Sequence, residues 1–367
     1  MAIPFFDLTR QYVLIEKEIN DAIAQILKST QFILGSNVSK IESHVAAYCG
    51  VNFGVGVASG TDALHLALKS CGVNAGDEVI TTPFTFVATI EAIMYIGAKP
   101  VFVDIDHKTF NIDHTKIEEK ITPKTKAIIP IHLFGRAANM TEIMRIAKDN
   151  NLKVVEDACQ GIGAEHNGMR ACSFGDAGAL SFFPTKNLGC FGDGGMIITN
   201  NEKIACEIKI LRNHGSSATY MYDEIGFNSR LDELQAAVLM VKLKYLEDAI
   251  RARINNANQY DSLLINSDVI TPAPDDMGRH VYNQYTIRAP KRIQLKEYLR
   301  LNGINSMVYY PRCLHLHKAY KHLGYHMGDF PNSEKAQDEV LSLPIFPELT
   351  RDEILEVCVA VKKFYLG

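Results

Sequence analysis

Between about residue 50 and residue 200, short apolar runs alternate with stretches of helical spacing, and this rhythm constrains the fold more than any other feature of the chain. The runs are Gly54–Ala58, Glu78–Thr82, Lys99–Val103, Ala127–His132, Lys153–Glu156, Ala177–Phe182 and Met196–Thr199. Several are apolar throughout, as strands covered on both faces are. Asp62–Ser70, Phe86–Ile96 and Met140–Asn150 have helical spacing and fall between them. The alternation predicts an α/β domain, a mostly parallel sheet with helices on both sides. In such sheets ligands sit beyond the carboxyl ends of the strands.

The residues just past those ends are therefore the candidates for chemistry. Glu156-Asp157-Ala158-Cys159-Gln160 closes one run and Ser181-Phe182-Phe183-Pro184-Thr185-Lys186 closes the next. An acid ending a buried strand is costly unless it has a partner. Asp157 suits a protonated ring nitrogen, and it equally suits a helix cap. Lys186, among apolar, aromatic and glycine residues, reads as an amine of lowered pKa, able to form an imine and move protons. Ser59-Gly60-Thr61 joins a run to a helical segment and offers either a phosphate site at a helix N-terminus or a plain cap. The spacing Gly54-x-Gly56-x-x-x-Gly60 departs from the dinucleotide fingerprint. Phe84 and Phe86 each suit a core or a ring-stacking role. Ser181 can bond a phosphate. Gly226–Ala237, polar at its start, reads as a helix opening, an anion contact or a contact between subunits.

Leu231 to about Ile265 has the spacing of one long helix. Beyond it the pattern changes: His280–Arg288 and Ile304–Tyr310 read as strands, a helix begins at Asn332, and Thr350-x-x-Glu353 is a capping box. We expect a large domain over 1–250 and a small α+β domain over 251–367. The net charge of -4 and scattered basic residues give no reason to expect nucleic acid or an anionic membrane as partner. The N-terminus lacks a signal core and no run is long enough to span a bilayer, so a cytoplasmic location is expected. Eight cysteines without a Cys-x-x-Cys pair read as reduced thiols. His322 and His326 have helical spacing, but no acid or cysteine stands near them, and no metal site is expected.

Taken in order, these motifs resemble the DegT/DnrJ/EryC1/StrS sugar aminotransferases, pyridoxal phosphate (PLP) enzymes of fold type I. The resemblance runs from Ile3-Pro4-Phe5-Phe6-Asp7-Leu8 through Ser59–Leu64, Pro83–Thr89, Glu156–Gln160, the Lys186 segment and Asn228–Ala237 to Tyr310–His315 and Ser333–Leu343. It implies an aspartate-aminotransferase-like large domain with a seven-stranded sheet. It implies Lys186 as the lysine that holds the cofactor and shuttles protons, Asp157 on the pyridinium and Gln160 at the ring hydroxyl. Phe86 would stack on the ring, and Ser59, Gly60, Thr61 and Ser181 would surround the phosphate. Asn228 would reach the phosphate of another subunit, making the active unit a homodimer. PLP would cycle through pyridoxamine phosphate, with L-glutamate and 2-oxoglutarate as the donor pair and a nucleotide-linked keto sugar as acceptor. Lys186–Gly195 looks like the branch acting at C3 rather than C4. Arg230, Arg312, His315 and Tyr310 are the candidates for sugar, pyrophosphate or carboxylate. Lysine rather than histidine at 186 separates the chain from the dehydratases of this fold. A non-catalytic sensor is the reading of another class.

Overall fold

The computed structural model describes residues 2–366, so Met1 and Gly367, the outermost residues of the two expected domains, lie outside it. Seven strands form the central sheet: β1 (Phe53–Val57), β2 (Glu78–Thr81), β3 (Lys99–Phe102), β4 (Thr125–Ile128), β5 (Lys153–Asp157), β6 (Ala177–Ser181) and β7 (Gly195–Thr199). Their order is β1-β7-β6-β5-β4-β2-β3. All pairings are parallel except those of β7, which runs antiparallel to both β1 and β6. Each predicted run coincides with one strand to within a few residues.

Alternating side chains feed two layers. Val55, Val57, Ala179 and Ile197 pack under α3 (Gly60–Ser70) and α6 (Glu202–Leu211), while Leu180, Met196 and Ile198 face α2 (Ser36–Cys49) and α7 (Glu233–Leu243). Helix α1 (Leu8–Ser29), capped by Asp7 through the amides of Thr9 and Arg10, lays Ile15 and Ile19 on Val238 and Val241 of α7. The other large-domain helices, α4 (Val87–Tyr95) and α5 (Met140–Asp149), also lie between strands.

The single helix expected from 231 to 265 is two helices. α7 ends at Leu243 and α8 (Leu246–Leu264) sets off after a tight turn, where Lys244 and Tyr245 donate back to Val241 and Lys242. The break follows from divided loyalty: α8 buries Leu246 and Ile250 in the large core and Ala257, Tyr260 and Leu264 in a second core. Residue 250 thus falls inside a helix that serves both cores. Ile3 crosses it too, bridging Ile304 and lying in the small-domain core.

That second core is held by the antiparallel pair β8 (Tyr285–Arg288) and β9 (Val340–Leu343), with α9 (Arg292–Leu301), α10 (Pro331–Glu339) and α11 (Arg351–Leu366). Two strand expectations need correction. His280–Gln284 is a loop, because Tyr282 has φ 46° and the chain bonds across to Phe134 and Gly135 instead of continuing the ladder. Ile304–Tyr310 makes only isolated bridges, Ile304 to Ile3 and Met307 to Ser342. The capping box is present, with Thr350 and Glu353 bonding reciprocally. No helix of the described residues is long and apolar enough to cross a membrane.

Candidate active site

Three strands pointing the same way deliver the site to one edge of the sheet: β1 leads into Ser59-Gly60-Thr61, β5 ends on Asp157 and β6 ends on Ser181. Strand alternation separates the two adjacent acids of β5. Glu156 is wholly buried and taken up by His132 Nε2 at 2.9 Å and by the amides of Cys172, Phe174 and Gly175. Asp157 is 6% exposed; its Oδ2 accepts from the Thr89 hydroxyl at 2.7 Å and its Oδ1 from the Cys159 amide at 3.2 Å. Both donors are neutral. A carboxylate has about four acceptor positions, so capacity remains for a cationic N–H.

Lys186 is half-buried in a turn that folds back on itself, its amide donating to the Phe183 carbonyl at 2.9 Å. Burial lowers its pKa, and ionisation of the neighbouring Cys159 or Asp157 would oppose that shift. Burial also pushes the Cys159 thiol well up. Cys159 therefore stays neutral, and Asp157 is the charge that Lys186 feels. An amine held toward its neutral form beside a carboxylate is suited to imine formation and proton transfer.

Ser59 caps α3, its Oγ accepting from the Asp62 amide at 3.1 Å. The amides of Gly60 and Thr61 follow in the first turn, among those a helix leaves without an internal acceptor. Gly60 has no room for a side chain: a Cβ there would lie 2.8 Å from Ser181 Cβ and 3.0 Å from Cys159 Sγ. Helix N-terminus, Ser181 hydroxyl and the Asp157–Cys159 segment therefore converge on one cradle.

The two phenylalanines divide. Phe84 is fully buried, whereas Phe86, at the start of α4, is 56% exposed at the sheet edge. The Tyr310 ring lies 6.2 Å from Phe86, tilted by 35°. Gln160 is held between elements: its Oε1 accepts from the Phe134 amide at 2.6 Å and its Nε2 donates to Tyr310 Oη at 3.2 Å. Tyr310 thus joins the strand-end cluster, and burial raises its pKa, so it remains a neutral phenol.

The remaining candidates are scattered. Asn228 is exposed, while its neighbour Ser229 is buried and donates to Asp62 Oδ2 at 2.6 Å, pinning that segment to the first turn of α3. Arg230 is half-buried and donates to Asn213 Oδ1 at 3.1 Å; Arg312 is exposed and donates to the Leu316 carbonyl at 3.0 Å. His315 is 1% exposed, with Nε2 on Glu334 Oε1 at 3.1 Å, and burial lowers its pKa against the pull of Glu334. His315 is held in an internal pair with Glu334. Among the described residues no cluster of three or more histidines, cysteines or acids is arranged to hold a metal.

Sequence reasoning missed Thr89, Phe134 and Lys242. Thr89 lies inside a quoted motif, but only the fold shows that α4 brings its hydroxyl to Asp157. Phe134 acts through its backbone amide, which carries no residue signal. Lys242 is buried beneath the lysine turn, where burial brings its pKa to about 8. It lines a cavity of about 330 Å³ with Gln11, Ile15, Asn187, Tyr245 and Glu348. That cavity contains none of the strand-end residues, so the chemistry is marked by the cluster and not by cavity size.

The cluster fits a flat, phosphate-bearing ring. The α3 amides and Ser181 suit a phosphate, the exposed Phe86 a ring face, Asp157 a ring N–H, and Lys186 an aldehyde. The model of the DegT/DnrJ/EryC1/StrS aminotransferase family matches residues 13–362, and the chain belongs to that family. It is 43% identical to the UDP-N-acetyl-3-dehydro-alpha-D-glucosamine 3-aminotransferase of Acidithiobacillus ferrooxidans, over 100% of this chain and 99% of the relative. It is 48% identical to a pleiotropic regulatory protein of Geobacillus stearothermophilus, again over 100% and 99%. Streptomyces venezuelae DesV, solved with a ketimine intermediate, superposes with a TM-score of 0.97 at 38% identity, covering 99% of this chain and 98% of that one.

Proposed function

We propose that this protein uses PLP, cycling through pyridoxamine phosphate, to move an amino group from L-glutamate to the C3 keto group of a nucleotide-linked sugar. The observation that carries the proposal is the meeting of Lys186, Asp157 and the first turn of α3 at one sheet edge. The cofactor, when bound, supplies an aldehyde for imine chemistry and a ring that takes up carbanion charge. Lys186 Nζ would hold that aldehyde and, once an incoming amine releases it, would move a proton from the donor's α-carbon to the former aldehyde carbon in the first half of the cycle and from there to C3 of the sugar in the second. Asp157 keeps the ring nitrogen protonated, and Thr89 and the Cys159 amide hold Asp157 in line for it. Gln160, fixed between Phe134 and Tyr310, orients the ring hydroxyl. Phe86 covers the ring face. Ser59 preserves the turn that presents the Gly60 and Thr61 amides, and Ser181 completes the phosphate contacts.

Asn228 contributes its amide to the cofactor phosphate of a second copy, so the working unit is a homodimer. The exposure of Asn228 on a segment pinned by Ser229 supports this. C3 is supported by Lys186-Asn187-Leu188-Gly189 and by relatives named for C3 chemistry, among them a dTDP-3-amino-3,6-dideoxy-alpha-D-galactopyranose transaminase of Aneurinibacillus thermoaerophilus at 43% identity. Arg230, Arg312 and Tyr310 are the side chains left to meet sugar or donor. The product serves as an amino sugar for a surface polysaccharide, lipopolysaccharide or glycosylated product, made in the cytoplasm. A regulator of the same fold is the second reading, favoured by the name of the Geobacillus stearothermophilus relative.

A panel of 3-keto and 4-keto nucleotide sugars, incubated with glutamate and read by mass spectrometry, tests the proposal. Amination of a 3-keto substrate with release of 2-oxoglutarate is expected. Amination of 4-keto substrates alone would overturn C3. No turnover on any member, from protein that has bound its cofactor, would favour the regulator.

A further inference from the structure

Helix α7 touches the lysine turn at two points. Gln235 Oε1 accepts from the Phe191 amide at 2.8 Å, and Lys242 Nζ donates to the Gly189 carbonyl at 2.6 Å. The two residues stand about two helical turns apart, so they project from the same face of α7. Both grip the turn on the C-terminal side of Lys186. Lys242 is only 7% exposed, and its ammonium lies 5.3 Å from the centre of the Phe191 ring. Its hydrogen-bond partner is a carbonyl, not a carboxylate. Glu348 attracts the ammonium without forming a salt bridge, and burial outweighs that attraction; a buried ammonium so placed costs the fold more than an apolar side chain of similar volume. Stability therefore gives no reason for a charge at 242, whereas the turn does.

The turn has little slack. A Cβ on Gly189 would lie 2.4 Å from the Pro184 carbonyl oxygen and 2.8 Å from that of Phe183. The Cys190 amide donates to Phe182 at 2.8 Å, and from the opposite side Asn187 Nδ2 donates to the Val281 carbonyl at 3.2 Å. Helix α7 is itself anchored at its start, where Glu233 accepts from the amides of Asn37 and Val38. A fixed helix thus holds a tight turn by two side chains.

We propose that Lys242, together with Gln235, is a positioning residue for Lys186: α7 clamps the turn and so sets the direction from which Lys186 enters the cleft. The inference rests on the role of Lys186 given under the proposed function. Its test is hydrogen exchange in cofactor-free protein, followed by kinetics with glutamate and the accepted sugar. In Lys242→Met the amides of residues 185–191 should exchange at least about tenfold faster, while the melting temperature stays level or rises. Lys242→Arg, which keeps a donor, should restore slow exchange. In the loaded enzyme, Lys242→Met should lower kcat by roughly tenfold and leave KM for the sugar unchanged. Gln235→Ala reads the other arm of the clamp independently, through faster exchange at Phe191. Exchange within twofold of wild type in both Lys242→Met and Gln235→Ala overturns the clamp. Faster exchange in a protein that aminates no sugar leaves the clamp standing and removes the proposed function instead.

Discussion

The proposed cofactor side and the proposed sugar side of this site are built differently. On the cofactor side, Gly60, Asp157 and Ser181 stand at or just past the ends of β1, β5 and β6, so one sheet fixes all three. On the proposed sugar side, Arg230, Tyr310 and Arg312 stand on irregular chain and His315 in a single 3-10 turn, with Asn213, Gln160, the Leu316 carbonyl and Glu334 as their partners. The sheet delivers a rigid constellation suited to one chemistry. The loops deliver side chains whose roles depend on which neighbours they happen to meet.

Substitutions can break or sharpen the contrast. The largest effect is expected on the rigid side. Asp157→Asn keeps the shape of the side chain but removes its charge, and kcat should fall by roughly 10²- to 10³-fold, with cofactor occupancy far less affected. Equal turnover would remove Asp157 from the chemistry. Next comes Asn228→Ala. The residue is exposed, so protomer stability should stay within about 0.5 kcal/mol. Cofactor affinity in the assembled enzyme should drop about tenfold, as for a lost hydrogen bond to a charged group. Titrating cofactor into apoenzyme measures it, and unchanged affinity would mean that each site is complete within its own protomer.

His315→Gln probes the loop side. Losing the pair with Glu334 should cost about 1–3 kcal/mol in urea unfolding, with KM for the sugar unchanged. A large rise in KM with level stability would return His315 to the sugar. The smallest effect concerns pH. Lys242 has a folded pKa of about 8, below the ordinary lysine value, because of burial. Between about pH 8 and pH 10 the unfolded chain binds the extra proton, so folding stability from this group rises with pH. Wild type should therefore gain stability relative to Lys242→Met across that window. A flat difference would mean that Lys242 stays charged when folded.

The same division explains what the sequence made legible. The strand-end residues could be read because short apolar runs announce buried strands, and strand ends announce sites. Ser59 resolved into a cap with free amides behind it, and Phe84 and Phe86 separated only once burial was known. What stayed hidden was contact between segments far apart in the chain. The Phe134 amide on Gln160, the Thr89 hydroxyl on Asp157 and the Lys242 ammonium on Gly189 leave no periodic trace. The unbroken apolar stripe of 231–265 likewise hid a break, because α7 and α8 keep their spacing while changing the core they serve.

Two buried-side lysines near one turn, Lys186 and Lys242, set the most direct measurement. Borohydride reduction of the purified holoenzyme, followed by peptide mass spectrometry, locks a lysine-bound cofactor to its attachment point. The cofactor's added mass is expected on the peptide containing Lys186, and is expected to be lost together with the visible absorbance in Lys186→Ala. Added mass on Lys242, or an unchanged absorption spectrum in Lys186→Ala, would contradict that expectation.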